Sequence, residues 1–194
     1  MQFNEFKNII EKTRCVRRYQ NNYKVNTQDL VGLIDLARLT SSARNIQALK
    51  YIIINDEIHY KTIHKPIKWA TNLEDWNQSN EEKPSAYILI LKDKLLEGYP
   101  EVDLGISLQT IMIGLSLKGL NGCMLGSIDK ESYSKELELD DNLEPMVAVS
   151  VGKSDETINI TTVENNSTNY YRNDKDEHCV PKRSLDDVLL KIYD

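Results

Sequence analysis

Arg14, Arg17 and Arg18 fall in one short run, Thr13-Arg14-Cys15-Val16-Arg17-Arg18-Tyr19. Guanidinium groups meet a phosphate monoester with forked, charge-assisted hydrogen bonds that lysine cannot copy geometrically. A second cluster, Ser41-Ser42-Ala43-Arg44-Asn45-Ile46-Gln47, gathers hydroxyl, amide and carboxamide groups suited to the edge of a heterocycle. A third, Pro181-Lys182-Arg183, adds two cations far along the chain. Brought together by a fold, the three segments would make an anion cradle with hydrogen-bonding groups beside it. Each also has a plainer reading. A basic loop can be solvated surface, and short polar side chains between a helix and a strand commonly satisfy orphan backbone groups and turns.

The cradle stands against an acidic background: 24 Lys+Arg face 30 Asp+Glu, a formal net charge of −6. That balance disfavours non-specific attraction to nucleic acid or to an anionic membrane face. Gly122-Cys123-Met124-Leu125-Gly126-Ser127 spaces its glycines four positions apart at a predicted strand end, where a backbone N–H could approach a ligand closely; a tight turn is the alternative. It lacks the G-x-G-x-x-G spacing of a dinucleotide fingerprint. His59, His64 and His178 have no cysteine or acidic neighbours at ligand spacing, so no metal site is expected. Cys15 lies beside two arginines that would lower its pKa, with no histidine near it in sequence to act as base. Cys15, Cys123 and Cys179 form no C-x-x-C pair, which points to a reducing cytoplasm rather than a disulfide framework. No apolar stretch approaches the roughly 20 residues of a membrane span, and no long apolar leader segment is seen. A soluble, cytoplasmic protein is expected.

The elements that must position these groups are legible in the hydrophobic periodicity. Phe3, Phe6, Ile9 and Ile10 predict an amphipathic helix over 3–12 that stops before the arginine loop. A second helix starts with Asn26 as cap, carries Leu30, Leu33, Ile34 and Ala37 on one stripe, and ends close to Thr40. The runs 51–54 and 86–91 read as central strands buried on both faces. Between them, 57–83 reads as helical pieces and loop. Leu104, Leu108, Ile111, Met112 and Leu115 predict a buried helix over 101–118 that Gly119 ends. Strands near 122–128 and 146–151 flank a small helix at 130–137, and a final helix takes 184–193, with Ser184 as cap. The polar tract 157–177 reads as an extended arm. The expectation is one α+β domain over 1–194, with a C-terminal extension from about 157.

The order of these segments resembles the nitroreductase family of FMN-dependent oxidoreductases, across most of the chain. There the first helix leads into an R-R-S-x-R-x-F loop, a P-S-x-x-N-x-Q-P-W segment opens the next strand, and a Lys/Arg pair lies near the C-terminus. This sequence supplies Arg14, Cys15, Arg17 and Tyr19, then Ser42, Asn45 and Gln47, then Lys182 and Arg183. Asp103-x-Gly105-x-x-x-Gln109 and Gly119-Leu120-x-Gly122-Cys123-Met124-Leu125-Gly126 also resemble family stretches. Thr13 stands where arginine is common, Cys15 replaces serine, Ser41 replaces proline, and Ala48-Leu49 replace Pro-Trp.

The resemblance implies a mixed, mostly antiparallel sheet flanked by helices. It implies a homodimer with FMN at the interface, and a C-terminal arm reaching the partner. Arg14, Lys182 and Arg183 would hold the FMN phosphate. Arg17 would lie near the N1/O2 edge of the ring, where reduction leaves negative charge. Cys15, Leu125 and Ser127 would line the flavin, with the backbone N–H of Gly126 facing N5. Ser42, Asn45 and Gln47 would come from one chain and the arginine loop from the other. No side chain would serve as acid or base. The implied function is passage of a hydride from NADH or NADPH through the flavin to a nitroaromatic, quinone or enone in a ping-pong cycle. Alternatives are a non-catalytic module that stores or senses FMN, and an FMN-free variant of the fold.

Overall fold

The computed structural model describes residues 1–70, 72–73 and 76–194. Its first compact unit comprises Met1–Trp69 and Gln78–Asp155. At its centre, four strands run in the order β1-β2-β4-β3, all antiparallel: β1 Leu49–Ile54, β2 Ala86–Asp93, β3 Asn121–Leu125 and β4 Leu143–Gly152. Strand β2 explains the layering. Successive side chains of a strand point to opposite faces. Accordingly Ala86, Ile88 and Ile90 join one apolar cluster, and Tyr87, Leu89 and Leu91 the other. Helices α2 (Thr27–Arg38) and α4 (Pro100–Leu117) cover the first face through Leu30, Leu33, Ile111 and Leu115. Helices α3 (Glu57–His64) and α5 (Lys130–Glu136) cover the second through Ile63 and Tyr133.

Helix boundaries follow capping chemistry. Asn26 Oδ1 accepts from the Gln28 N–H at 2.8 Å and starts α2 as expected. Gly119 stops α4 in the left-handed region, at φ +68. Gly114 permits the close approach of α2 to α4, since a Cβ there would meet Leu33 Cδ2 at 2.6 Å. Helix α1 (Phe3–Lys12) opens with a Gln2–Glu5 capping box but buries none of its residues, and Phe3 stays 82% exposed. No helix among the described residues is long and apolar enough to cross a membrane.

Three expectations need correction. Among the described residues strand β1 is an edge strand, not a central one, and is only partly buried, because β2 alone pairs with it. The last helix, α6, is confined to Leu185–Val188 rather than reaching 193: Ser184 caps it, but Leu185, Val188, Leu189 and Leu190 stay exposed, so no burial extends it. The polar tract 157–177 is not a bare arm. The second unit, Ala70–Asn77 with Glu156–Asp194, builds a three-stranded sheet in the order β5-β7-β6 from Ile158–Thr162, His178–Lys182 and Tyr171–Arg172. In place of an apolar stripe it uses a sequestered ion pair: Arg172 Nη2 lies 2.6 Å from Glu156 Oε2, and the guanidinium sits 5.9 Å from the Trp76 ring. Within the expected helix-and-loop stretch 57–83, Thr71, Glu74 and Asp75 lie outside the described residues.

Candidate functional site

The arginine loop is threaded along the outer edge of the sheet. Cys15 pairs with Gly122 in an isolated parallel bridge, and the Val16 N–H donates to the Gly122 carbonyl at 2.9 Å. Val16 and Tyr19 are fully buried; the Tyr19 hydroxyl donates to the Val16 carbonyl at 2.7 Å and lies 2.7 Å from Ser150 Oγ. These anchors fix the register that sets Arg14 immediately before them and Arg17 between Val16 and Tyr19. Arg14 Nη2 donates to the Ile10 carbonyl at 2.6 Å, closing the end of α1, while its buried Nε has no partner among the described residues. A buried guanidinium N–H in that position costs free energy until an acceptor reaches it. The carbonyl of Arg17 is held by Gln78 Nε2 at 2.7 Å, and Arg18 pairs with Glu82 at 2.9 Å.

Thr13, which stands where arginine was the expected residue type, has its own work. Its hydroxyl reaches the Ile9 carbonyl at 2.8 Å and Ser116 Oγ at 2.9 Å, fastening the arginine loop to the C-terminal end of α4.

The second polar cluster is fastened to the other end of the same helix. Asp103 is only 5% exposed, and its carboxylate accepts from Ser42 Oγ at 2.6 Å and from the Ala43 N–H at 2.8 Å. Ser42 Oγ in turn accepts from the Gln47 N–H at 2.9 Å. The clamp holds a costly backbone. Arg44, Asn45 and Gln47 all have positive φ, at 54, 55 and 56. Each costs about 1–2 kcal/mol except where a short polar residue such as asparagine tolerates the region. Asn45 and Gln47 are exposed, and Gln47 Nε2 reaches the Asn45 Oδ1 at 3.2 Å. Beside them lies a cavity of about 230 Å³ lined by Ser42, Gln47, Lys50, Tyr51, Asp103 and Ser107, with the Tyr51 hydroxyl 3.0 Å from Ser107 Oγ. Sequence reasoning placed Asp103 in a motif but gave it no role. Its signal was a carboxylate adjoining the apolar stripe that begins at Leu104, a residue type almost never buried without partners.

Within one chain, then, the two clusters are separated. Asp103 and Ser116 are thirteen residues apart on α4, which at 1.5 Å per residue is about 20 Å along the helix axis.

The two glycines of the Gly122–Ser127 run differ in role. A Cβ on Gly122 would meet the Ser150 carbonyl at 2.6 Å and Leu115 Cδ1 at 2.8 Å, so its small size serves packing inside the chain and not a ligand. Gly126 is exposed, with open space where a Cβ would be. Leu125, 6% exposed, ends β3 just before it, and the Ser127 carbonyl accepts from the Lys68 N–H at 3.4 Å. Lys182 and Arg183 belong to the second unit, exposed at the end of β7, where Arg183 Nη1 donates to Asn166 Oδ1 at 3.1 Å.

Comparison with known proteins fits this arrangement. YodC of Bacillus subtilis strain 168, provisionally named an NAD(P)H nitroreductase, is 22% identical over 186 residues, covering 75% of this chain and 88% of its own length. A nitroreductase family protein from Clostridium difficile 630 superposes with a TM-score of 0.63 at 24% identity, covering 80% of this chain and 86% of that one. A provisionally assigned nitroreductase from Exiguobacterium sibiricum 255-15, solved in complex with FMN, superposes with a TM-score of 0.64 at 18% identity, covering 78% of this chain and 89% of that one. The family model for nitroreductases matches residues 10–153, a span that holds the arginine loop, the Asp103 clamp and the whole four-stranded sheet. The chain belongs to the nitroreductase family.

Proposed function

We propose that this chain is an FMN-dependent oxidoreductase that takes electrons from NADH or NADPH and passes them to a small oxidised acceptor such as a nitroaromatic, quinone or enone. The observation that carries the reading is the buried Nε of Arg14, which has no partner among the described residues and sits in a loop fixed by Cys15, Val16 and Tyr19. It is a preformed donor awaiting an anion, and a flavin phosphate has the matching charge. Bound FMN would supply two-electron transfer between the nicotinamide and the acceptor.

The chain's own residues divide the remaining tasks. Arg14 would orient the phosphate, and Lys182 and Arg183 enter the proposal as further cations for it. Arg17 would place positive charge by the N1/O2 edge, where it favours the reduced cofactor electrostatically. The open face at Gly126 would let its N–H approach N5 without a side chain in the way. Cys15, Leu125 and Ser127 would line the ring, and Ser42, Asn45 and Gln47 would hydrogen-bond a heterocycle edge.

The same reading calls for two copies of the chain. Some 20 Å of α4 separate the arginine loop from the Ser42–Gln47 loop, too far for both to serve one ring edge in a single chain. A two-fold pairing would bring one loop from each copy to a shared site. The uncovered apolar side chains of Phe3, Leu189, Leu190 and Ile192 supply surface that a partner would bury.

The test is spectroscopic. The purified protein is mixed with FMN, desalted, and its visible spectrum recorded before and after anaerobic NADH or NADPH. A retained flavin band that bleaches is the expected result. A retained band that stays oxidised would point to a storage or sensing module, and a colourless protein would overturn the FMN assignment.

A further inference from the structure

A cavity of about 340 Å³ lies where three connections of the first unit meet: the segment before α2, the junction of β1 with α3, and the approach to β2. Its walls are tied to one another. Asn55 Nδ2 donates to the Val25 carbonyl at 3.1 Å and to Thr27 Oγ1 at 2.9 Å, Asn21 Nδ2 donates to the Asn80 carbonyl at 3.1 Å, and the Tyr60 hydroxyl donates to the Pro84 carbonyl at 2.9 Å. Lys24, Lys61 and Lys83, one from each connection, line the space. None of the three forms an ion pair among the described residues. Lys83 is half-buried, a position in which an ammonium group is short of water and lacks a counter-charge.

Two carboxylates share the lining, and only one of them is uncommitted. Asp56 is spent on starting α3: its Oδ1 accepts from the Ile58 and His59 N–H groups at 2.9 Å each, and its Oδ2 lies 3.0 Å from His59 Nδ1. Glu57 stays exposed in the first turn of that helix. In a chain of net charge −6, three cations thus converge on one cavity against a single free acid. We propose that this cavity binds the phosphate monoester of a small metabolite.

A phosphate monoester carries close to two negative charges and three acceptor oxygens. Lysine meets phosphate as a point charge on a flexible stem, so ammonium groups arriving from three separate segments can close on one phosphoryl group. The volume is that of a small-ligand site and leaves room beyond the phosphate. The half-buried Tyr60 ring supplies an apolar wall for the remainder, and it is itself held in place, stacked on His64 with centroids 5.4 Å apart and 17° between planes. Burial first, and the Lys83 charge second, hold His64 below its usual range, which accords with a cation at this wall that no neighbouring acid neutralises. The inference stands apart from the flavin reading, because none of these residues belongs to the arginine loop, the Ser42–Gln47 loop or the Lys182–Arg183 pair.

Equilibrium dialysis against AMP and against ribose 5-phosphate tests the proposal, with adenosine as the uncharged control. The expected result is retention of at least one ester and not of adenosine. Tighter AMP identifies a nucleotide as the ligand and tighter ribose 5-phosphate a sugar phosphate, and either upholds the site. Lys24→Met, Lys61→Met and Lys83→Met should each weaken binding about tenfold, the loss of one charge-assisted contact, while FMN retention stays unchanged. Arg14→Ala should leave the affinity for the ester as it was. Failure to bind either ester, or adenosine held as tightly as AMP, would overturn the proposal. So would full binding in all three lysine variants with loss in Arg14→Ala, which would place the ester at the arginine loop. Should Arg14→Ala not fold, undiminished binding in the three lysine variants overturns the proposal by itself.

Discussion

Ser42 and Asp103, sixty-one residues apart in sequence, are joined by a hydrogen bond of 2.6 Å that sets the shape of the Ser42–Gln47 loop. The same carboxylate receives the Ala43 N–H at 2.8 Å, so both oxygens are committed to one short segment. This pairing explains how three left-handed residues, two of them not asparagine, persist within four positions of the chain. The clamp offsets backbone strain that no local preference of Arg44 or Gln47 would favour.

Replacing Asp103 with alanine should therefore cost about 1–3 kcal/mol, since it leaves two half-buried donors without their acceptor. Urea unfolding measures the loss. Hydrogen exchange at the Gln47 N–H, which depends on Ser42 Oγ being held in place, should quicken by more than the global destabilisation accounts for. Uniform quickening across the sheet would show that Asp103 only stabilises the fold as a whole.

Much of the layering was readable from periodicity, because the apolar stripes of α2 and α4 and the run at β2 encode burial directly. The edge position of β1 was not readable, as pairing order is settled by tertiary contacts that the run Tyr51–Ile54 does not carry. The sheet of the second unit escaped notice for a different reason: its stability draws on the Arg172–Glu156 pair and Trp76 rather than on an apolar stripe. At the site, the types and order of the polar residues were legible. Their distribution over the two ends of α4 was not, because it depends on which side chains Asp103 and Ser116 hold.

Gly122 tests the packing behind the arginine loop. A methyl group there would meet a backbone carbonyl oxygen of β4 at 2.6 Å, and backbone cannot rotate away as a side chain can. Gly122→Ala should destabilise the protein by about 1–3 kcal/mol. Thermal unfolding reports the cost, and a negligible shift would mean that β3 and β4 part more easily than their register implies.

His64 makes the first unit sensitive to acid. Burial, with a smaller contribution from the nearby Lys83 charge, lowers it from 6.5 to about 4, and its Nδ1 lies 2.6 Å from the Tyr87 hydroxyl. The unfolded chain binds a proton in the window between those values while the folded chain does not, so stability rises with pH there. It is fully present above about 6.5 and is lost as pH falls toward about 4. Urea midpoints measured across this window should decline on acidification, and His64→Gln should flatten the decline.

On the FMN reading, Arg17 supplies a fixed charge rather than a proton. Removing it with Arg17→Met should lower the two-electron reduction potential of bound flavin by about 20–45 mV, the equivalent of about 1–2 kcal/mol lost from a partly screened charge. Equilibration with a reference dye reads the shift. An unchanged potential with weakened flavin retention would assign Arg17 to binding alone.

The separation along α4 makes a prediction that turns on two chains rather than one. If each site takes its arginine loop from one copy and its Ser42–Gln47 loop from the other, a chain carrying Arg14→Ala and Arg17→Ala and a second carrying Ser42→Ala and Asn45→Ala should each retain little FMN alone. Mixed in equal amounts, denatured and refolded together, half of the dimers pair unlike chains. Each such dimer contains one site built wholly from intact loops and one built wholly from altered ones. Flavin retention should then recover to about a quarter of the unaltered level, as random two-fold pairing requires. A site assembled within a single chain gains nothing from mixing, because every chain in the mixture still carries one damaged loop. Recovery therefore requires that the roughly 20 Å between Thr13 and Ser42 along the helix be bridged by a second copy of the chain.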